Sequence, residues 1–229
     1  MSKTNNNGGI TVSRQIAVYK TDKKLVEFID KLNPAPITNY AHIHAQADDS
    51  GDGKKVYSLI QIVLQDYSNG TGDKTVRVTA NISPGEARFI YSRADACVEK
   101  FEFSSDKIFG EKDDGGYSKV TKLTIRRATV GSDGKPRNYP WYLECENGRG
   151  IAEKNQNGGS YCKKGSFISD KKVFANLTDL DFFVRINDVV NYIRVWESQY
   201  GASVMISGKT EYDRQLLELK QESGGEKSA

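Results

Sequence analysis

Val78-Thr79-Ala80-Asn81-Ile82-Ser83, with Glu86 three residues on, and Val173-Phe174-Ala175-Asn176-Leu177-Thr178, with Asp181 in the matching place, are two versions of one phrase. Each reads Val, a variable residue, Ala, Asn, Ile or Leu, then a hydroxyl, then an acid at the third following position. The apolar half describes a strand that ends at the Asn. The polar half describes a helix start, in which Ser or Thr caps the first turn and the acid closes a capping box. Pro84, at the first helical position of the first copy, fits the same start. Upstream, both copies contain a strand, an Asp-Gly-Lys turn and a second strand. These are Ala41 to Ala47, Asp52-Gly53-Lys54 and Val56 to Leu64, and then Lys119 to Ala128, Asp133-Gly134-Lys135 and Tyr139 to Cys145. Asp-Gly between alternating runs signals a hairpin. Asn69-Gly70 and Asn147-Gly148 mark the next turn of each half.

The chain therefore reads as an internal repeat, each half made of three or four antiparallel strands followed by one helix. The helices are expected at Pro84 to about Phe101 and at Asp179 to about Tyr200. The expected fold class is α+β, with duplicated antiparallel β-sheet units each followed by one helix and two sheets packed in one domain. Residues 1–9 form a disordered N-terminus, 10–110 the first repeat, 111–208 the second, and 209–229 a C-terminal helix and tail. Within the first repeat, Ile10 to Val18 alternates as a strand does. Leu25, Val26, Phe28, Ile29 and Leu32 predict a short helix over Thr21 to Leu32, stopped by Asn33, Pro34 and Pro36.

Composition narrows the function. With 229 residues and 25.5 kDa, the chain suits one large domain or two small ones. Its 33 Lys and Arg against 30 Asp and Glu give a net charge of only +3, which excludes a histone-like basic tail. No apolar run is long enough for a membrane span, and the polar N-terminus predicts a soluble, cytoplasmic protein. Three cysteines, Cys97, Cys145 and Cys162, match neither a zinc spacing nor a disulfide framework. His42 and His44 share a predicted strand face without a third ligand. The Asp48 to Gly53 stretch resembles a calcium loop but has Leu59 where a Glu belongs. Neither Glu144 with Glu146 nor the glycine-rich Asn155 to Ser160 loop completes a catalytic or nucleotide-binding motif. No catalytic residue, metal or cofactor is assigned.

Binding is the better expectation. Between Gly115 and Ala175 lie twelve Lys and Arg against five Asp and Glu, interleaved with Tyr139, Trp141, Tyr142, Tyr161 and Phe167. Cations for phosphates and aromatic faces for unstacked bases are the two components of single-strand binding. Strand alternation turns Lys122, Thr124 and Arg126 outward when Leu123 and Ile125 face in. The candidate phosphate contacts are Lys122, Arg126, Arg127, Arg137, Lys163 and Lys164, and the candidate stacking platforms are Tyr139, Trp141 and Tyr142. Trp141 shares a strand face with Leu143 and Cys145, which leaves it either core or binding surface.

The duplicated unit of strands and one helix, over about Ile10 to Gln199, resembles the Whirly family and its relatives, including the purine-rich-element binding repeats. That resemblance implies binding of single-stranded DNA across the sheets. The lysine-rich strand motif of plant Whirly proteins is absent, so no family residue is carried over. The expected partner is single-stranded DNA or RNA, and Tyr212, Leu216, Leu217 and Leu219 on a short C-terminal helix make a homo-oligomer a further expectation. The alternative is a protein-interaction module, such as an inhibitor or assembly component from a phage or mobile element.

Overall fold

The protein is described by a computed structural model over residues 12–46 and 56–225. Strands β1 (Gln15–Lys20), β2 (Lys24–Lys31), β3 (Leu59–Asp66) and β4 (Val76–Ile82) form one antiparallel sheet in that order. Helix α1 (Pro84–Asp95) follows. Strands β5 (Lys100–Phe109), β6 (Ser118–Ala128), β7 (Trp141–Gly150) and β10 (Ile168–Leu177) form the second antiparallel sheet, again in chain order from one edge to the other. A small hairpin, β8 (Ala152–Lys154) with β9 (Ser160–Cys162), interrupts it before β10. Helix α2 (Asp179–Trp196) then runs through a π-helical turn at Glu197–Gly201 into α3 (Ala202–Gly225). Four strands and a helix thus occur twice, as expected, and the fold class is α+β.

The helix starts are those the repeated phrase describes. Ser83 Oγ accepts from Glu86 N at 3.2 Å while the Glu86 carboxylate accepts from Ser83 N at 2.6 Å, and Asp181 N donates to Thr178 Oγ1 at 3.0 Å. The alternating residues before each cap point inward. Val78, Ala80 and Ile82 on β4 and Val173, Ala175 and Leu177 on β10 are all buried. They join Phe28, Ile62 and Leu64 of the first sheet, Leu123, Ile125 and Leu143 of the second, and Ile90, Phe182, Ile186 and Ile193 of the helices in one core. Residues of both halves therefore share one core.

Two edges of the first sheet are closed by side chains. On β4, the Asn147 amide both donates to Thr79 O and accepts from Thr79 N, each at 2.8 Å, so it replaces a neighbouring strand. On β1, Arg185 Nε donates to Val18 O at 2.9 Å.

Several expectations need correction. The stretch read as a helix over Thr21 to Leu32 is strand β2, because Val26 and Phe28 alternate inward between β1 and β3. Ala41 to Gln46 is not a strand; a 3₁₀ segment spans Ile37–His42. Asp52-Gly53-Lys54 lies outside the described residues, as does the 1–9 terminus. Asn69-Gly70 does turn, with Gly70 at φ 119°, but Asn147-Gly148 sits inside β7, where the Asn is held by its bonds to Thr79. Helix α1 ends at Asp95, and Phe101 and Phe103 belong to β5, so the second sheet begins inside the stretch assigned to the first repeat. On α2, Phe182, Ile186, Val189, Val190 and Ile193 are buried, while Leu180 is exposed. Helix α3 passes through the expected 208/209 boundary, seated where Gly208 lies so close to the Tyr40 side chain that an added Cβ would stand 2.2 Å from the Tyr40 Cβ.

Candidate nucleic-acid interface

The second sheet has one face in the core and one toward solvent. Register fixes what the solvent face carries: Glu102, Arg126, Tyr142 and Asn176 in one row, Ser104, Thr124, Glu144 and Phe174 in the next, then Asp106, Lys122, Glu146 and Lys172. At its centre the Tyr142 and Phe174 rings stack with centroids 5.7 Å apart. The Arg126 guanidinium lies 4.7 Å from the Tyr142 ring, and Lys24, reaching from β2, lies 4.8 Å from the Phe174 ring. Phe174 is 43% exposed. Cations over aromatic faces are favourable, by about 0.5–1 kcal/mol at exposed sites.

Hydrogen bonds organise this surface. The Tyr142 hydroxyl donates to Glu144, and burial with this carboxylate pushes the phenol up to about 12. Burial opposes ionisation of Glu144, but Tyr142 and Lys172, the latter at 2.9 Å, prevail and hold its carboxyl below the usual range. Lys122 pairs with Asp106 at 3.5 Å and lies 4.4 Å from the Phe167 ring. Among the described residues Arg126 has no carboxylate within ion-pair distance. The cationic excess of the sequence segment is thus partly offset in space by Glu102 and Asp106, which come from β5 outside that segment.

The structure brings together Lys122, Arg126 and Tyr142 on this face. Arg137 and Tyr139 are exposed in the connection before β7, and Tyr139 lines a cleft with Lys24 and Phe174. Lys163 and Lys164 follow the β8–β9 hairpin at the opposite end of the sheet, with Lys163 paired to Glu153 at 3.2 Å.

Arg127 and Trp141 are corrections. Arg127 is 7% exposed and grips Asp179 with two bonds of 2.9 Å while donating to Cys97 O and Val98 O just past α1. Trp141 is 1% exposed, stacks on Phe182 at 3.9 Å and donates from Nε1 to Asp179 Oδ1 at 2.8 Å. Alternation explains both, since Arg127 and Trp141 share the inward face with Ile125 and Leu143. Phe174, Lys24 and Lys172 are the members of the surface that sequence reasoning missed. Phe174 was legible as the outward residue of the repeated phrase; Lys24 became visible only once β2 was a strand.

A second cationic group, Arg14, Lys31 and Arg77, lies on the first sheet. Burial and the nearby Arg14 and Arg77 lower the Lys31 pKa, and no described carboxylate pairs with any of the three. His44, read from sequence as a surface or metal-site residue, bridges Ser58 Oγ and Glu197 Oε1, each at 2.8 Å, and stacks on Trp196. Such a chain has the membership of a hydrolytic triad, but the Ser58 hydroxyl is buried and already accepts from Asn33 N at 3.1 Å, so it serves structure. Among the described residues no three His, Cys, Asp or Glu gather as metal ligands, and no helix is long and apolar enough to cross a membrane. No family model, curated protein or solved structure matches the chain.

Proposed function

We propose that this protein binds single-stranded nucleic acid, DNA in the first instance, and does no chemistry on it. The observation that carries the reading is the solvent face of the second sheet, where a half-buried Tyr142 and an exposed Phe174 stack, flanked by Arg126 and Lys24. Rings of this kind accept unstacked bases at about 1–3 kcal/mol each, and the cations beside them meet phosphates. The resemblance to the Whirly family read from the sequence is in keeping with it. Fluorescence polarisation with labelled single-stranded oligonucleotides should show binding that weakens as salt rises, because phosphate neutralisation releases counterions. Arg126→Ala should lower the salt slope by about 1, whereas Phe174→Ala should weaken binding at unchanged slope. Absence of binding to DNA and RNA at low salt would end the reading.

One observation favours the protein-interaction module instead. Helix α3 carries exposed Met205, Ile206, Tyr212, Leu217 and Leu219. A stoichiometric protein partner retained after nuclease treatment, and lost on replacing Leu217 and Leu219 with Glu, would support that reading.

A further inference from the structure

Two clefts in the molecule share three kinds of lining. The first, about 450 Å³, is lined by Ala175 and Asn176 of β10, by Tyr139, and by Tyr19 to Lys24 of the β1–β2 hairpin. The second, about 760 Å³, is lined by Ala80 and Asn81 of β4, by Tyr57, and by Ser105 to Gly110 at the β5–β6 hairpin. In each, the Ala-Asn pair comes from the fourth strand of one half. A tyrosine two residues before the third strand of the same half joins it, Tyr57 before Leu59 and Tyr139 before Trp141. The opposite wall is the first hairpin of the other half, which brings Lys23 and Lys24 in one case and Lys107 in the other. Tyr57 and Tyr139 are 45% and 53% exposed.

The repeated phrase gains a sharper meaning from this. Its Val, Ala and Ile or Leu fill the core, and its Ser or Thr caps a helix. The Asn alone has no structural use in either copy. Among the described residues neither the Asn81 nor the Asn176 amide makes a hydrogen bond, and Asn81 Oδ1 is shielded from solvent without a donor. A shielded acceptor without a partner is costly to keep. An amide beside an exposed aromatic ring and a lysine matches the needs of one nucleotide: edge hydrogen bonds for the base, a face to stack on, and a cation for the phosphate.

We infer that the two clefts are equivalent nucleotide sites, each taking one unstacked base of a bound single strand, with Asn81 and Tyr57 reading one and Asn176 and Tyr139 the other. This rests on the proposed single-strand binding. The second cleft also borders the cationic group of the first sheet, since Leu59 in its wall pairs in register with Lys31.

The test is oligonucleotide binding by fluorescence polarisation with Asn81→Ala, Asn176→Ala and the double variant, combined with an abasic scan along the strand. Each single variant should weaken binding about fivefold, as one hydrogen bond at about 1.4 kcal/mol per tenfold implies, the double variant about 25-fold, and salt slopes should stay at the wild-type value. Abasic substitution should cost affinity at two separated positions in the wild type, and one of the two penalties should shrink in each single variant, the stacking on the tyrosine remaining. The melting temperature should be unchanged in Asn176→Ala and no lower in Asn81→Ala, which removes an unpartnered acceptor, and if Asn81→Ala fails to fold, the exposed Asn176→Ala carries the test. Wild-type binding that both variants retain, with Arg126→Ala still weakened, overturns the inference and leaves the sheet-face reading standing. Failure of the wild type to bind overturns both.

Discussion

Asp179 joins three structural roles in one side chain. It opens α2, receives both arms of Arg127 and accepts the Trp141 indole. The Arg127 bonds, working against burial, hold its carboxyl below the usual range. A depressed folded value means that the stabilisation is complete above the ordinary carboxylate pKa of about 3.9 and is lost as pH falls through it toward the folded value. Melting temperature should therefore fall steeply below about pH 4, and Asp179→Asn should be less stable at neutral pH with a flatter profile across that window. Trp141→Ala should cost about 3–5 kcal/mol of stability, as large-to-small changes in a packed core do. Unfolding curves in urea measure it, and a stable Trp141→Ala with weakened oligonucleotide binding would reverse the assignment to the core. Sequence alone left Trp141 open because its aromatic and inward or outward placement depends on which face the helix covers, and that is a tertiary fact.

Elements were legible to different degrees for identifiable reasons. Both helix starts could be read because the caps are local chemistry, and Ser83→Ala should cost about 1 kcal/mol in equilibrium unfolding. Strand β2 was misread because Leu25, Val26, Phe28, Ile29 and Leu32 satisfy a helical stripe and a strand alternation equally over so short a run. Pairing with β1 and β3 decides it, and neither partner is visible from within the segment. Strand β5 was absorbed into the tail of α1, although Phe101 and Phe103 alternate with Glu102 and Ser104 as an exposed-edge strand does. Of the candidate surface, Lys122, Arg126 and Tyr142 followed from alternation, while Lys24 came from a strand distant in sequence.

At the scale of the molecule, the two halves share walls as well as a core. Each cleft needs the fourth strand of one half and the first hairpin of the other, and Arg127 of the second sheet bonds the backbone just after α1 of the first unit. Unfolding should accordingly be a single transition, with near- and far-ultraviolet circular dichroism coinciding in urea. Two separated transitions would show that the halves are independent. The recurring phrase was readable in the sequence, but that each copy lines a cleft opposite a hairpin of the other half needed the strand order.

The Asn147 amide on the rim of β4 carries a consequence for how safely such a sheet can exist in a crowded cell. An open strand rim is a template on which an identical rim from another chain can grow, and continued growth leads to fibres. By spending one side chain on both hydrogen-bonding groups of Thr79, the fold denies that template its central rung at 2.8 Å on each side. At Thr79 the β4 rim is thereby kept closed to a strand of its own kind.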